Sequence, residues 1–155
     1  MKENVELNQV KNIKMIPLAA WKENSKQEFF NSGAKNTGMS GFSKPDDIAS
    51  RTMVQTVTID SWVRENQISR INIIKMDIEG AEYQALFGMK QVLEVYKPVL
   101  FIEISAELLQ RNGNTPKQVF ELLYSYGYKS YQVKQAKKLI RVDSVVEDEL
   151  VVFHI

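Results

Sequence analysis

The stretch INIIKMDIEGAEYQAL, residues 71–86, changes its hydrophobic period halfway along, and that change constrains the fold more than any other feature of the 155-residue chain. Ile71, Ile73 and Ile74 open it as a short β-branched run of the kind that makes a buried strand. Beyond Asp77 and the Glu79-Gly80 pair the spacing becomes helical. Ile78, Ala81, Ala85, Leu86, Met89, Val92, Leu93 and Tyr96 recur at that spacing until Pro98 stops them. The pattern predicts a strand, a tight turn and a helix, with Asp77 at the carboxyl end of the strand. Open α/β sheets place their ligands at that edge, so the functional site is expected there.

The flanking sequence repeats the alternation. Residues 3–10 read as the last turns of a helix with Val5, Leu7 and Val10 as contacts. Residues 13–20 (IKMIPLAA) read as a strand made irregular by Pro17. Residues 27–30 form another short strand. Residues 31–50 are rich in glycine and serine and are expected to be a loop, either a lid or a disordered excursion. Residues 53–59 alternate as a strand, after which Asp60 is expected to cap a helix over 61–67 with Trp62 and Val63 inward. Residues 99–104 (VLFIEI) are nearly continuous in apolar character, as in a parallel sheet covered on both faces. Thr115-Pro116 starts a helix carrying Val119, Leu122, Leu123 and Tyr126, and Gly127 ends it. Strands follow at 128–133, 139–142 and 150–155. The last of these, LVVFHI, is apolar enough for an interior strand. The order argues for one α/β domain over residues 1–155 with a mostly parallel sheet and one antiparallel strand at the end.

The totals exclude some functions. Twenty basic and 19 acidic residues nearly cancel, which gives no electrostatic case for nucleic acid or an anionic membrane. Without cysteine there is no disulfide or thiolate metal site. The start, MKENVELNQVKN, is too polar for a signal peptide, and no apolar run reaches membrane-spanning length. A cytoplasmic protein is expected. No Asp/His cluster has metal-ligand spacing, although Asp77 and Glu79 could form a loose hard-cation site with waters.

TIDSWVRE (residues 58–65), INIIKMDIEGAEYQALFGM (71–89) and KPVLFIEIS (97–105) together resemble the FkbM-type branch of the S-adenosylmethionine (SAM)-dependent methyltransferases. NVELNQVKNIKMIPLAAW (residues 4–21) is similar to that family's passage from second helix to third strand. The resemblance implies a Rossmann-like class I methyltransferase fold with an antiparallel last strand inserted in the sheet. Measured against the family, the chain lacks the first two strands, with the glycine-rich cofactor loop and the ribose-binding acid. Its seven glycines (33, 38, 41, 80, 88, 113, 127) contain no G-x-G pair. The implied cofactor is SAM and the implied reaction is O-methylation of a hydroxyl on a sugar, glycolipid or secondary metabolite. The alternative is a non-enzymatic remnant or binding module of the same fold. A small-molecule or glycan acceptor is the expected partner, and self-association through an exposed sheet edge is expected as well.

The resemblance also assigns residues. Asp77 is implied to face the cofactor sulfonium or the acceptor, where it can orient a hydroxyl or take its proton. The competing reading is an N-cap of the following helix. Glu79 is near enough to share the catalytic site, whereas Glu82 reads as simple helix electrostatics. Glu103 is read either as a substrate-binding carboxylate in a costly buried position or as a surface-facing strand end. Ala19 and Ala20 lie where related folds contact adenine, or else form an ordinary strand end on which Trp21 packs. Gly80 permits close backbone approach, Gly88 needs a packing reason, and Lys75 reads as a salt-bridge partner. His154 reads as a packed or edge residue.

Overall fold

A computed structural model describes residues 2–33, 40–44, 48–134 and 138–155. Among them, α1 (Lys2–Leu7) precedes β1 (Ala19–Ala20), β2 (Ser25–Ser32), β3 (Ile48–Val57) and α2 (Ile59–Glu65). Then come β4 (Ile73–Met76), α3 (Glu82–Phe87), α4 (Lys90–Val95), β5 (Val99–Ile104), α5 (Ala106–Arg111) and α6 (Pro116–Ser125). β6 (Lys129–Lys134), β7 (Lys138–Val142) and β8 (Glu149–His154) complete the chain. The strands form two sheets, a three-stranded one in the order β1-β3-β2 and a five-stranded one in the order β4-β5-β8-β6-β7. None of the described helices is long and apolar enough to cross a membrane.

The α/β alternation holds, but the expectation of a mostly parallel sheet does not. Only β1 with β3 and β4 with β5 run parallel; every other described pairing is antiparallel. The apolar last strand is interior as expected, with β8 antiparallel to β5 on one side and β6 on the other. Nor is β5 buried on both faces. Leu100, Ile102 and Ile104 are fully buried beneath the helices, while Glu103 on the opposite face is exposed. The core is that single layer, where Phe120, Leu123, Leu86 and Leu93 meet Leu100, Ile102, Val151 and Phe153.

Several boundaries move for identifiable reasons. The strand expected at residues 13–20 shrinks to Ala19–Ala20, because Pro17 has no amide to donate and Ile13, Met15 and Leu18 stay exposed without a sheet partner. Part of the expected loop at 31–50 is a β-hairpin instead. Asn31 and Ser32 end β2, Ile48 begins β3, and Gly41 bridges back to Phe30. The rest of that loop, residues 34–39 and 45–47, lies outside the described residues. Helix α5 was not anticipated, although Ser105 before an apolar pair is an N-cap signature and its hydroxyl accepts from the Leu108 amide. The capping box at Thr115 and Gln118 and the left-handed Gly127 terminate α6 as expected.

The single helix expected after residue 78 is two, broken at Gly88-Met89. A β-carbon on Gly88 would sit 2.0 Å from the Trp21 carbonyl oxygen, so the backbone leaving β1 occupies the place of a side chain. The same junction relocates a cap. Thr58, not Asp60, caps α2, its hydroxyl accepting from the Ser61 amide at 3.1 Å. Asp60 instead reaches α4, accepting from the Gln91 and Val92 amides at 3.0 Å each, while its own amide donates to the Gly88 carbonyl. Helix propensity alone favours alanine over glycine by about 1 kcal/mol. Packing reverses the sign: Gly88→Ala should destabilise the chain by about 1–3 kcal/mol, as overpacked cores do, read as a lower midpoint in thermal or urea unfolding.

Candidate functional site

β4 delivers Met76 into the core and Asp77 to the rim, and the chain then turns sharply. Glu79 takes φ +53° and Gly80 φ +90°, two consecutive left-handed residues. The first is costly for a residue with a β-carbon and persists only where the surroundings enforce it. Gly80 is required for a second reason: a β-carbon there would lie 2.3 Å from the Leu108 carbonyl oxygen of α5. The other side of the turn is held by Glu82, whose Oε1 accepts from the amides of Ile78 and Gly80 at 3.3 Å each.

This turn and the end of β5 enclose a void of about 20 Å³ lined by Asp77, Glu79, Glu82, Glu103 and Ser105. Asp77 is half exposed and pairs with Lys75 at 2.7 Å, which fulfils the salt bridge expected of Lys75. Asp77 does not cap α3: the cap position is Ala81 and carries no side-chain bond. Glu103 is exposed, so the buried-carboxylate reading fails, yet it faces the same void. The Glu79 carboxyl is pushed above its ordinary range by desolvation, then by the charges of Asp77 and Glu103. Glu82 is only 2% exposed, and its Oε2 is buried without a partner. Burial raises it; the hydrogen bonds it accepts oppose that rise, and Glu79 adds to it. Reading Glu82 as mere helix electrostatics is therefore wrong. An acidic residue at the first helical position can reach back to the turn amides, a signal present in the sequence.

Three of the five expected site residues thus meet at one edge: Asp77, Glu79 and Glu103. Ala19 and Ala20 do not join them. They pair with Thr56 and Val57 in the other sheet, with Ala20 packed on the core. A link exists through Trp21, whose packing at that strand end was expected, and through two phenylalanines that sequence reading left unassigned. Trp21 is buried, its ring centroid 4.5 Å from that of Phe42 and its indole N–H without a partner. Phe42 also meets Phe29 edge-on at 5.5 Å, and its neighbour Gly41 lies against the Glu79 backbone. His154 is exposed at the end of the interior strand β8, where it pairs with Lys129. Among the described residues, no group of three or more His, Asp or Glu is arranged to hold a metal ion.

SAM, the cofactor that the resemblance implies, does not fit this enclosure. About 20 Å³ admits a single water. The carboxylates suit a cation or a hydroxyl, with no apolar or hydrogen-bonding cradle for an adenosine. Larger clefts, about 230 Å³ between α6 and the β6–β7 hairpin and about 250 Å³ between α2 and α4, lie apart from these residues.

Comparison with known proteins agrees with the α/β fold. The crystal structure of methyltransferase FkbM from Methylobacillus flagellatus KT is similar in fold, with a TM-score of 0.58 at 14% identity. The match covers 99% of this chain and 32% of that one, so the chain spans about a third of the length of that relative. No curated protein sequence matches. The model of the methyltransferase FkbM domain matches residues 2–130, most of the chain, and the chain therefore belongs to the FkbM methyltransferase domain family.

Proposed function

We propose that this domain forms the acceptor-side part of a SAM-dependent methyltransferase acting on a hydroxyl oxygen of a sugar, glycolipid or secondary metabolite. The observation that carries the reading is the convergence of Asp77, Glu79 and Glu103 at the carboxyl end of the parallel pair β4–β5, in a chain of this family. In this reading the carboxylates at the rim of that enclosure meet the acceptor's hydroxyl, and both the cofactor and the body of the acceptor lie outside it. Asp77 orients that hydroxyl, Glu79 takes its proton, and Glu103 binds a neighbouring polar group. A carboxyl poised above its ordinary range is the better general base at neutral pH. The order β4-β5-β8-β6, with β8 antiparallel, supports a Rossmann-like class I sheet in which β4 stands in the fourth strand's place.

Asp77→Asn, in a methyl-transferring protein that carries this domain, should lower turnover about a hundredfold, the order of the loss when a reacting group is misplaced. Its thermal midpoint should barely move. Asp77 caps nothing, and its bond to Lys75 is a half-exposed ion pair of the class worth about 0–1 kcal/mol. Unchanged turnover with a lowered midpoint would make Asp77 a structural residue.

Residues 1–155 by themselves should bind SAM too weakly for the micromolar range in calorimetric titration. They should also self-associate through β4, which lies at the edge of its sheet and presents Ile73 at 63% exposure. An exposed apolar edge strand is a template for pairing. Light scattering should give a mass above the monomer that rises with concentration, and Ile73→Lys should reduce it. A monodisperse monomer binding SAM at micromolar concentration would overturn both expectations.

A further inference from the structure

Glu82 is the one carboxylate of the site that faces inward. A role in helix electrostatics needs neither burial nor contact, since a solvated glutamate in the first turn supplies the same charge. Here the side chain is 2% exposed. One oxygen accepts two backbone amides and the other is sealed in without a partner, an arrangement that costs free energy. What it secures is the turn. With Leu108 against Gly80 on one side and Glu82 Oε1 on the other, residues 78–80 are clamped between α5 and the first turn of α3. That clamp flanks Glu79, whose left-handed φ sets the backbone from which its carboxyl projects.

We propose that Glu82 is the positioning residue of this site, fixing the direction of the Glu79 carboxyl through the Ile78 and Gly80 amides. The inference rests on the reading of Glu79 as the proton acceptor. Asp77, Glu79 and Glu103 line the same void as Glu82, with Ser105 as a neutral member, and of these charges it is Glu79 that acts on Glu82. Lys75, the neighbouring cation, is engaged by Asp77. The void that Glu82 lines has room for one water.

A stability signature accompanies the geometry. The folded-state pKa of Glu82 is raised from 4.5. Its contribution to folding is therefore fully present below that pH and is lost as pH rises through the folded value. Glu82→Gln keeps an oxygen for both amides and cannot ionise. Its midpoint relative to wild type should rise with pH above 4.5.

The test uses residues 1–155 in three forms, wild type, Glu82→Gln and Glu82→Met, followed by nuclear magnetic resonance. In wild type and Glu82→Gln the Ile78 and Gly80 amides should exchange slowly. In Glu82→Met both should exchange about tenfold faster, near the worth of one hydrogen bond, and the Glu79 carboxyl should titrate at a different pH. Faster exchange with an unmoved Glu79 titration would leave Glu82 a structural residue and overturn the proposal. If Glu82→Met does not fold, wild type and Glu82→Gln decide: slow exchange at both amides with the Glu79 side chain held in one rotamer, read from its coupling constants, supports the proposal, and fast exchange at either amide or rotamer averaging at Glu79 in wild type overturns it. Failure to transfer methyl groups would sink the enzymatic reading without altering these exchange or titration results.

Discussion

The structure depends on one close approach, the Trp21 carbonyl lying where residue 88 would carry a side chain. Because only glycine can stand there, the backbone leaving β1 passes directly over the end of α3. The helix cannot continue, and α4 starts afresh with free amides. Asp60 is what makes that break tolerable, its carboxylate taking two of those amides and its own amide taking the Gly88 carbonyl. Thus one residue without a β-carbon sets the position of the three-stranded sheet against the helical layer. With it go Trp21, Phe42 and the segment that rests on Glu79.

Much of this was legible in the chain and some of it was not. The shift of period after Asp77, the capping box at Thr115 and the apolar run of β8 are local signals, and each produced the element it predicts. What failed were inferences needing a partner. Apolar spacing continues unbroken from Ile78 to Tyr96, so no period analysis reports that Trp21 intrudes at Gly88. In the sequence Asp60 stands between a strand pattern and a helix pattern, yet it lies in the first turn of α2 and its acceptor capacity goes to a helix thirty residues on. The alternation in VLFIEI is masked because Phe101, on the open face, is as apolar as its buried neighbours. At the site, Asp77, Glu79 and Glu103 follow from strand ends, whereas the burial of Glu82 follows from a turn geometry that sequence does not display.

The chemistry of the edge follows from crowding like charges where solvent is thin. Four carboxyl groups line a space that holds about one water. Two of them, Glu79 and Glu82, are displaced upward, each chiefly by burial. Glu79 is half-buried and responds first to burial and then to the charges of Asp77 and Glu103, while Glu82 responds to burial against the two amides that favour its charge.

The place of β8 carries one more consequence. It is the sole connection between the β4–β5 pair and the β6–β7 hairpin within the described sheet, since β5 and β6 share no ladder. Its residues Val151 and Phe153 also lie in the core against Phe120. Peeling that strand away therefore uncouples the two halves of the sheet and opens the apolar layer at the same time. Loss of β8 cannot be a local fraying event. It belongs to the global unfolding of the five-stranded unit, and the carboxylate edge at β5 keeps its shape only while that distant stretch of chain stays in register.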